Sequence, residues 1–543
     1  MPRTVLLGFL FLSPGLLAGA EPPSETVSVR GRIVDADTGA LLPARIYVQG
    51  QDGKWYFPKS ASDKGSAVPY RKQRGASPSV EMHVTLSAHP FVVDLPPGKY
   101  ELTVERGHEY HPLKKTITVD KKPVKVTLEM KRWINVAKRG WYSGDTHVHR
   151  TLKELPNVML AEDLNVALPL TYWVTEAYNS PRTSAKSSPK DVPAKLITID
   201  KTHVISPRNT EYEIFTVKGK RHTLGAIFVL NHQSVFEQGA PPVGPIAKKA
   251  RAEKALLDLD KHNWPWSMML IPVMKVDLYE LANNHVWRAQ FGFPGFGTMP
   301  PQYMGVETDR RGMTEWGWID FTFQNYYALL NCGFRLRPTA GTASGVHPVP
   351  LGFGRVYVKC SGGFSYKKWI QGLDRGQSFV TTGPMLFVQV NDKPIGQVFQ
   401  PREKKGKYRI TGEAISGHPL DRIELVVNGK IRKTLKPANT KTKQGGYRST
   451  IRTELDLTSS SWIIARCFES RKDKRIRFAH TGPVHVEIKD KPLLPRPEEI
   501  KYLIEHVKTE LKRHEKVLPE AALQEYRQAL AIYETIAKKV SSK

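Results

Sequence analysis

Two histidines, His147 and His149, occur one residue apart in the stretch RGWYSGDTHVHRTLKE. Side chains at positions i and i+2 of a strand point to the same side of a sheet, so the two imidazoles are expected to face the same way. Two imidazoles on one side can bind a single divalent cation. A strand that simply carries two histidines has the same pattern, so the pair alone leaves a metal site and an ordinary strand as alternatives.

The elements that must position this pair are typical of an α/β domain, which we predict over residues 134–385. Strand-like apolar runs such as LNVALPLTYWV and LGAIFVLN alternate there with segments of helical character. GPIAKKARAEKALLDLDKH and WIDFTFQNYYALLNCG are the clearest helical candidates. Repeated alternation of strands and helices predicts a layered α/β domain or a barrel, and in barrels the chemistry lies at the carboxyl ends of the strands.

The flanking regions have β and helical patterns. Short alternating strands separated by Pro-Gly and charged turns predict a β-sandwich over residues 27–131, and similar strands predict a second sandwich over 386–490. After a proline-rich break, Pro497 opens a helix with apolar residues at helical spacing. A second such segment follows Pro519, so a helical hairpin is predicted over residues 497–540.

The first twenty residues have the pattern of an export signal: a positive residue, the apolar run VLLGFLFL, and LLAGA before Glu21. We therefore expect a periplasmic, cell-surface or extracellular protein. No apolar run reaches the roughly 20 residues that a transmembrane helix needs. The three cysteines, Cys332, Cys360 and Cys467, are too few and too apolar in setting to form a disulfide framework, so buried thiols are expected.

The formal net charge of +29 comes from Lys and Arg spread along the chain. The chain contains no recognisable zinc finger, RNP-type motif or basic leucine zipper, which argues against specific nucleic-acid binding. A basic surface instead suits an anionic small-molecule or saccharide substrate, such as a phosphoester or a sulfated or acidic saccharide.

Several motifs resemble known families. GRIVDADTGALLPARIYV and LPPGKYELTVERG resemble the carboxypeptidase regulatory-like sandwich, which is an accessory or binding module. GWYSGDTHVHR resembles the opening motif of the PHP (polymerase and histidinol phosphatase) metallohydrolases, especially their exported CehA/McbA-like branch. LLNCGFRLRPTAGTASGV and WIQGLDRGQSFVTTGPM resemble the end of that branch's catalytic domain. The resemblance implies a distorted (β/α)7 barrel that binds divalent metals and hydrolyses an ester or phosphoester bond.

The sequence departs from the family pattern at three ligand positions. Trp173 stands near the end of the second motif, where the family has Thr-Asp-His, and Ala343 takes the place of the last motif's aspartate. Asp260, Lys261 and His262 lie at or near the middle His-Pro motif. Lys261 could replace the charge of a lost metal by pairing with a neighbouring carboxylate. We therefore expect a reduced site that binds one Zn, Mn or Fe ion.

The resemblance implies carboxylate and histidine ligands from distant strands. The predicted metal ligands are His147, His149, Glu211, Glu213, His222, Glu280 and His285. Each has an ordinary alternative: His222 could be a surface residue, one of the two glutamates could be solvated, and His285 could hold a loop. Asp145 could hydrogen-bond a ligand imidazole or simply cap the turn.

Two functions follow from these residues. The first is an exported, metal-dependent hydrolase of the PHP type with a reduced site. The alternative is a catalytically degenerate PHP-like binding protein for a cell-surface polysaccharide or a protein partner. The histidine pair favours the first, whereas Trp173 and Ala343 favour the second.

Overall fold

The structure of the protein is a computed structural model that describes residues 25–74, 80–183, 192–293, 295, 297–402 and 406–542. The predicted export signal, residues 1–20, lies outside the described residues. Within these ranges the chain is mostly sheet and forms several separate sheets and seven α-helices. None of the described helices is long and apolar enough to cross a membrane.

The N-terminal region forms two sheets that enclose one apolar core. One sheet has the order β10-β1-β7-β4, and the other has the order β5-β6-β2-β8-β9 with β3 on β2. In β8, Tyr100, Leu102 and Val104 are buried while Glu101 is exposed, the alternation that a sheet with one core-facing side requires. The strands are β1 Val27–Asp35, β2 Ala44–Gly50, β3 Trp55–Tyr56, β4 Lys59–Ser60, β5 Ala67–Gln73, β6 Val80–Leu86, β7 Phe91–Leu95, β8 Gly98–Glu105, β9 Leu113–Val119 and β10 Val124–Met130.

The central region alternates strands and helices. Its main sheet has the order β14-β13-β17-β18-β19-β20-β23, in which β19, β20 and β23 are parallel. The elements are β11 Trp141–Val148, α1 Leu155–Ala161, β12 Val166–Pro169, β13 Tyr172–Glu176, β14 Arg182–Thr183, β15 Ile197–Thr198, β16 Val204–Ile205, β17 Thr210–Val217, β18 Lys220–Leu230, α2 Gly244–Glu253, β19 Leu256–Leu259, α3 Ser267–Met274, β20 Leu278–Ala282, β21 Thr308–Asp309, β22 Gly312–Met313, α4 Glu315–Asn331, β23 Arg337–Ala340, β24 Arg355–Lys359, α5 Tyr366–Asp374 and β25 Ser378–Thr381.

One helical expectation is wrong in its second half. The stretch 244–262 is not a single helix, because α2 ends at Glu253 and Lys254 takes a left-handed conformation. The following run, Leu256–Leu259, is a fully buried strand that pairs with β18 and β20. A short apolar run that is buried on both sides carries no alternation, so helix and strand look alike in the sequence.

A twelve-stranded sheet connects the central region to the second β region. Its central path contains β12, β11, β24 and β25, and continues into β35, β34, β30 and β31. A separate sheet, β27-β26-β29-β33-β32, packs on it and shares an apolar core. The strands of the second β region are β26 Met385–Val390, β27 Lys393–Pro394, β28 Val398–Phe399, β29 Gly406–Ser416, β30 Leu420–Val427, β31 Lys430–Leu435, β32 Thr440–Lys441, β33 Tyr447–Leu457, β34 Ser461–Glu469, β35 Phe478–Thr481 and β36 Val484–Val486.

Two long helices, α6 Pro497–His514 and α7 Glu520–Ser541, end the described chain. Pro497 is the first residue of α6, where its missing N–H costs no hydrogen bond. The Tyr533 hydroxyl donates to the carbonyl of Met268 on α3, and the Glu525 carboxylate accepts from the backbone N–H groups of Val243 and Gly244. These helices therefore pack against the central region.

Buried ion pairs join the N-terminal sheets to the central region. Glu81 on β6 accepts hydrogen bonds from Arg288 Nε at 2.7 Å and from the Tyr47 hydroxyl at 2.5 Å. Burial alone would raise the pKa of Glu81, but the positive charge of Arg288, with His83 and Arg45, lowers it to about 2. The charged form of this fully buried carboxylate is thus strongly favoured in the folded protein.

We expect Glu81→Gln to weaken the acid sensitivity of the fold. Because the folded-state pKa is depressed, the stabilisation is complete above the ordinary pKa of 4.5 and is lost as pH falls towards 2. The wild type should lose about 3 kcal/mol more than the variant across this window. Urea unfolding as a function of pH measures this difference. Glu101→Gln, on the exposed face of β8, is the control and should keep the wild-type slope; equal slopes for all three proteins would contradict the assignment.

Candidate metal centre

The histidine pair lies at the carboxyl end of β11, where the strand enters the protein interior. Every residue of β11 is buried, and His149 follows the strand directly, its N–H donating to the carbonyl of Ser344 at 2.8 Å. His147 Nε2 and His149 Nε2 are 3.2 Å apart. The two imidazoles therefore converge on one point.

Carboxylates from three other strands meet this pair. Glu211 on β17 places Oε2 3.4 Å from His149 Nε2 and Oε1 3.9 Å from His147 Nε2. Glu280 on β20 lies 3.2 Å from His147 Nδ1, and Asp260, directly after β19, lies 3.5 Å from the same nitrogen. His147 thus has acidic groups beside both ring nitrogens.

These side chains form three overlapping sets. Within each set, the ligand atoms all lie within 4.8 Å of one another. The sets are His147, His149 and Glu211; His147, Asp260 and Glu280; and Glu211, Glu213 and Asp260. Glu213 is partly exposed and the others are buried. Imidazole nitrogens and carboxylate oxygens are the donors that Zn, Mn and Fe bind in proteins, so this cluster could hold a metal ion.

The electrostatics of the cluster also fit a cation. Burial and the neighbouring Asp260 carboxylate raise the pKa of Glu280 well above its ordinary value, which favours its protonated form. Burial and nearby positive groups hold the pKa of His147 well below its ordinary value, which leaves a neutral imidazole. Asp260 Oδ1 is buried and accepts no hydrogen bond from the described residues. A divalent ion would replace the Glu280 proton and supply Asp260 Oδ1 with a partner.

Lys261 already supplies one positive charge at this place. Its buried ammonium pairs with Asp260 Oδ2. Burial alone would lower the pKa of Lys261, but the carboxylates of Asp260, Glu280 and Glu213 outweigh burial and raise it. Four carboxylates therefore share one ammonium, and negative charge remains in excess if all of them ionise.

The segment after β23 closes the cluster from one side. A Cβ on Gly341 would lie 2.0 Å from Glu280 Oε1 and 2.2 Å from His147 Cβ, so only glycine fits there. Asp145 Oδ1 accepts from the N–H groups of His147 and Thr342, and its Oδ2 accepts from the Thr342 hydroxyl and the Gly352 N–H. Asp145 thus ties β11 to this segment through backbone and hydroxyl groups rather than through an imidazole.

Two predicted ligands lie outside the three sets. His222 on β18 contacts the end of α6, with Nε2 2.8 Å from His514 Nδ1. His285 stacks on Phe293, with ring centroids 3.8 Å apart, and also contacts Trp318. The nearby His262 is held through both ring nitrogens by Thr322 and Asn325.

The residues at positions where the sequence differs from the family pattern support the cluster in other ways. Trp173 Nε1 donates to Glu213 Oε2 at 3.2 Å and so fixes that carboxylate. The Ala343 N–H donates to the carbonyl of His147 at 2.7 Å, and Ala343 has a positive φ of 49°. Their side chains bring no ligand, but both support residues of the cluster.

Asp260 is the member of the cluster that our ligand prediction left out. The sequence signal for it is a carboxylate placed directly after the apolar run ALLDL, as expected at the carboxyl end of a buried strand. Assigning this run to a helix hid that signal.

Comparison with known proteins adds no family assignment. No protein-family model matches this chain, and a search of curated proteins found no match. The functional argument therefore rests on the residues and their geometry.

We expect Gly341→Ala to damage the cluster specifically. The added methyl must displace Glu280 or His147, because both lie closer than any normal contact. Overpacking of this kind costs about 1–3 kcal/mol, and metal-dependent stabilisation should fall with it. Thermal unfolding with and without added zinc measures both effects. Gly295→Ala is the control, since a Cβ there meets nothing within 4 Å; a wild-type zinc response in Gly341→Ala would contradict the expectation.

Proposed function

We propose that this protein is an exported, metal-dependent hydrolase of the PHP type that acts on an ester or phosphoester bond. The observation that carries the proposal is the convergence of His147, His149, Glu211, Asp260 and Glu280 from four different strands. The resemblance of GWYSGDTHVHR to the PHP opening motif agrees with it. The proposal includes a distorted (β/α)7 barrel for the central region and a helical hairpin for α6 and α7.

One ring nitrogen of His147 binds one ion, so a single divalent ion would be held either at Nε2, with His149 and Glu211, or at Nδ1, with Asp260 and Glu280. When bound, such an ion polarises a substrate oxygen and activates water for attack. The rest of the chemistry belongs to the chain. Glu213 is the partly exposed carboxylate of the cluster, and Trp173 holds one of its oxygens, so Glu213 can take a proton at the solvent side. The buried Lys261 ammonium offsets part of the negative charge of the cluster through its ion pair with Asp260.

Substrate class and localisation are part of the same proposal. The net charge of +29 raises the local concentration of anionic molecules near the surface, so we propose a phosphoester or an acidic or sulfated saccharide ester as substrate. Export through the N-terminal pattern would place the enzyme in the periplasm, at the cell surface or outside the cell.

Metal content and hydrolysis test the proposal together. We expect about one Zn, Mn or Fe ion per chain in wild type and a loss of both metal and activity in His147→Ala, because one imidazole contacts both acidic groups. The measurements are elemental analysis and hydrolysis of a panel of phosphoesters, carboxyl esters and lactones.

His222→Ala is the matched control, because it removes a histidine that contacts α6 instead of the cluster. It should keep metal and activity. Wild-type protein that holds no metal, and whose melting temperature responds neither to chelator nor to added zinc or manganese, would leave the hydrolase proposal without support.

The second candidate function is a binding protein on the same framework, for a cell-surface polysaccharide or a protein partner. The specific observation in its favour is the buried Lys261–Asp260 ion pair, which occupies an oxygen of a carboxylate that a metal would use. In that case the ammonium substitutes for the ion, and turnover is lost.

Lys261→Met separates the two functions. Removing the ammonium frees Asp260 and leaves excess negative charge, so metal affinity should rise by about tenfold or more. If the wild type is a hydrolase, it should bind metal itself, and the variant should bind the metal more tightly. If the wild type binds no metal and the variant does, the ion pair is a substitute and the binding function is favoured. Calorimetric titration with zinc measures the change, and unchanged affinity would contradict both expectations.

A further inference from the structure

A second site lies where three regions of the chain meet. A cavity of about 230 Å³ is lined by residues of the N-terminal sheets, the central region and the second β region. Because about 10–15 Å³ suffices for one water, a small anion with several waters would fit there. Its lining includes the exposed residues Pro112, His418 and Asp473, so the cavity opens to solvent. We call it the junction cavity.

The acidic groups of the junction cavity already have partners. Its lining contains four carboxylates and five arginines. On one side, Arg45 pairs with Glu105 at 2.6 Å and with Glu162, and Arg288 pairs with Glu105 at 3.2 Å.

The same holds on the opposite side of the cavity. Arg471 pairs with Glu469 at 2.9 Å and with Asp473 at 2.8 Å. Three arginines therefore account for all four carboxylates of the lining.

The other two guanidinium groups donate to backbone carbonyls instead. Arg355 is 1% exposed and donates to the carbonyls of Gly352, Asp163 and Glu162, and it forms no ion pair with any carboxylate of the described residues. Asp163 and Glu109, two acidic side chains whose pKa the charge of Arg355 lowers, both pair with Arg132. Arg355 thus brings a charge into the interior that no carboxylate neutralises directly.

Arg477 is in a similar position. It is 5% exposed and donates to the carbonyls of Ile476 and Arg288. Its nearest carboxylate, Glu315, is 3.6 Å away and is held by Arg475 through both oxygens. Burial lowers the pKa of Arg477 to about 10. The charge of Glu315 opposes this shift, and the charges of Arg475 and Arg471 add to it.

We propose that the junction cavity binds a tetrahedral oxyanion, phosphate or sulfate, through Arg355 and Arg477. Arg355 has no carboxylate partner among the described residues, and Arg477 has only a share of Glu315, which Arg475 also holds. Buried guanidinium charge that is not fully balanced is costly, and the planar fork of arginine matches oxyanion geometry. The anion is either free or an ester group on a saccharide. Bound there, it would join the three regions of the chain.

The test uses the full chain with its metal removed by chelator, so that phosphate cannot bind at the candidate metal centre. Calorimetric titration with inorganic phosphate and inorganic sulfate, at an ionic strength fixed with chloride, should show saturable binding in wild type and in His147→Ala. In Arg477→Gln the affinity should fall by about tenfold or more, since a charge-assisted hydrogen bond is lost. Arg409→Gln, an exposed arginine paired with Asp392, removes the same charge and should bind like wild type.

Two lysine variants and a titration with a sulfated polysaccharide complete the test of the junction cavity. Arg477→Lys and Arg355→Lys keep the charge but lose the fork, so each should weaken binding even if Arg477→Gln does not fold. Titration with a sulfated dextran distinguishes a polysaccharide ester from a free anion, because it should bind more tightly than inorganic sulfate only if the cavity accepts a chain end. Absence of phosphate and sulfate binding in wild type, or equal binding in wild type and the Arg477 variants, would overturn the proposal.

Discussion

The interior of the central region depends on one electrostatic constraint: carboxylates from several strands share a buried space with two imidazoles and one ammonium. Asp260 uses one oxygen for Lys261, and burial together with the neighbouring Asp260 carboxylate raises the pKa of Glu280 well above its ordinary value. Burying such groups is expensive unless charge is balanced locally. Hydrogen bonds that do not use the side chains of the cluster also hold β11, such as the four that Asp145 accepts from backbone N–H groups and the Thr342 hydroxyl.

Charge balance also governs how the regions of the chain contact each other. The N-terminal sheets meet the central region through Glu81, Glu105 and Glu162, and each of these carboxylates is paired with an arginine of the interface. Farther along the same contact, Arg355 has no carboxylate partner among the described residues, and Arg477 shares Glu315 with Arg475. The boundary between regions thus changes from neutralised to positive within one cavity, and the resulting local field, rather than the total charge of the chain, is what distinguishes the junction cavity.

Much of the secondary structure can be predicted from the sequence, and the reasons are local. The alternation of apolar and polar residues predicts the strand β8, and Pro497 predicts the start of α6. The two imidazoles share one side because strand periodicity demands it. The domain boundaries, the barrel and the family membership stay predictions. The stretch Leu256–Leu259 could not be assigned correctly, because a strand buried on both faces has no period, and Asp260 was therefore missed.

Long-range partners are the part that sequence could not supply. Glu211, Glu213 and Glu280 could be chosen only by resemblance, and nothing near His222 in the sequence shows that its partner is His514, on a helix at the other end of the chain. The sequence also gives no sign of the role of Gly341. This residue must be glycine because Glu280 and His147, from other strands, pack where a Cβ would lie. Such contacts depend on tertiary approach, which short-range patterns do not encode.

The pairing of β25 with β35 has a consequence for how the chain can be divided. Because one sheet runs through both regions, cutting the protein near residue 385 would leave unpaired N–H and C=O groups along Ser378–Thr381, a strand buried on both faces. Apolar strand edges of this kind recruit other chains. The central region and the second β region therefore form a single cooperative unit, and a fragment that ends between them would be prone to self-association.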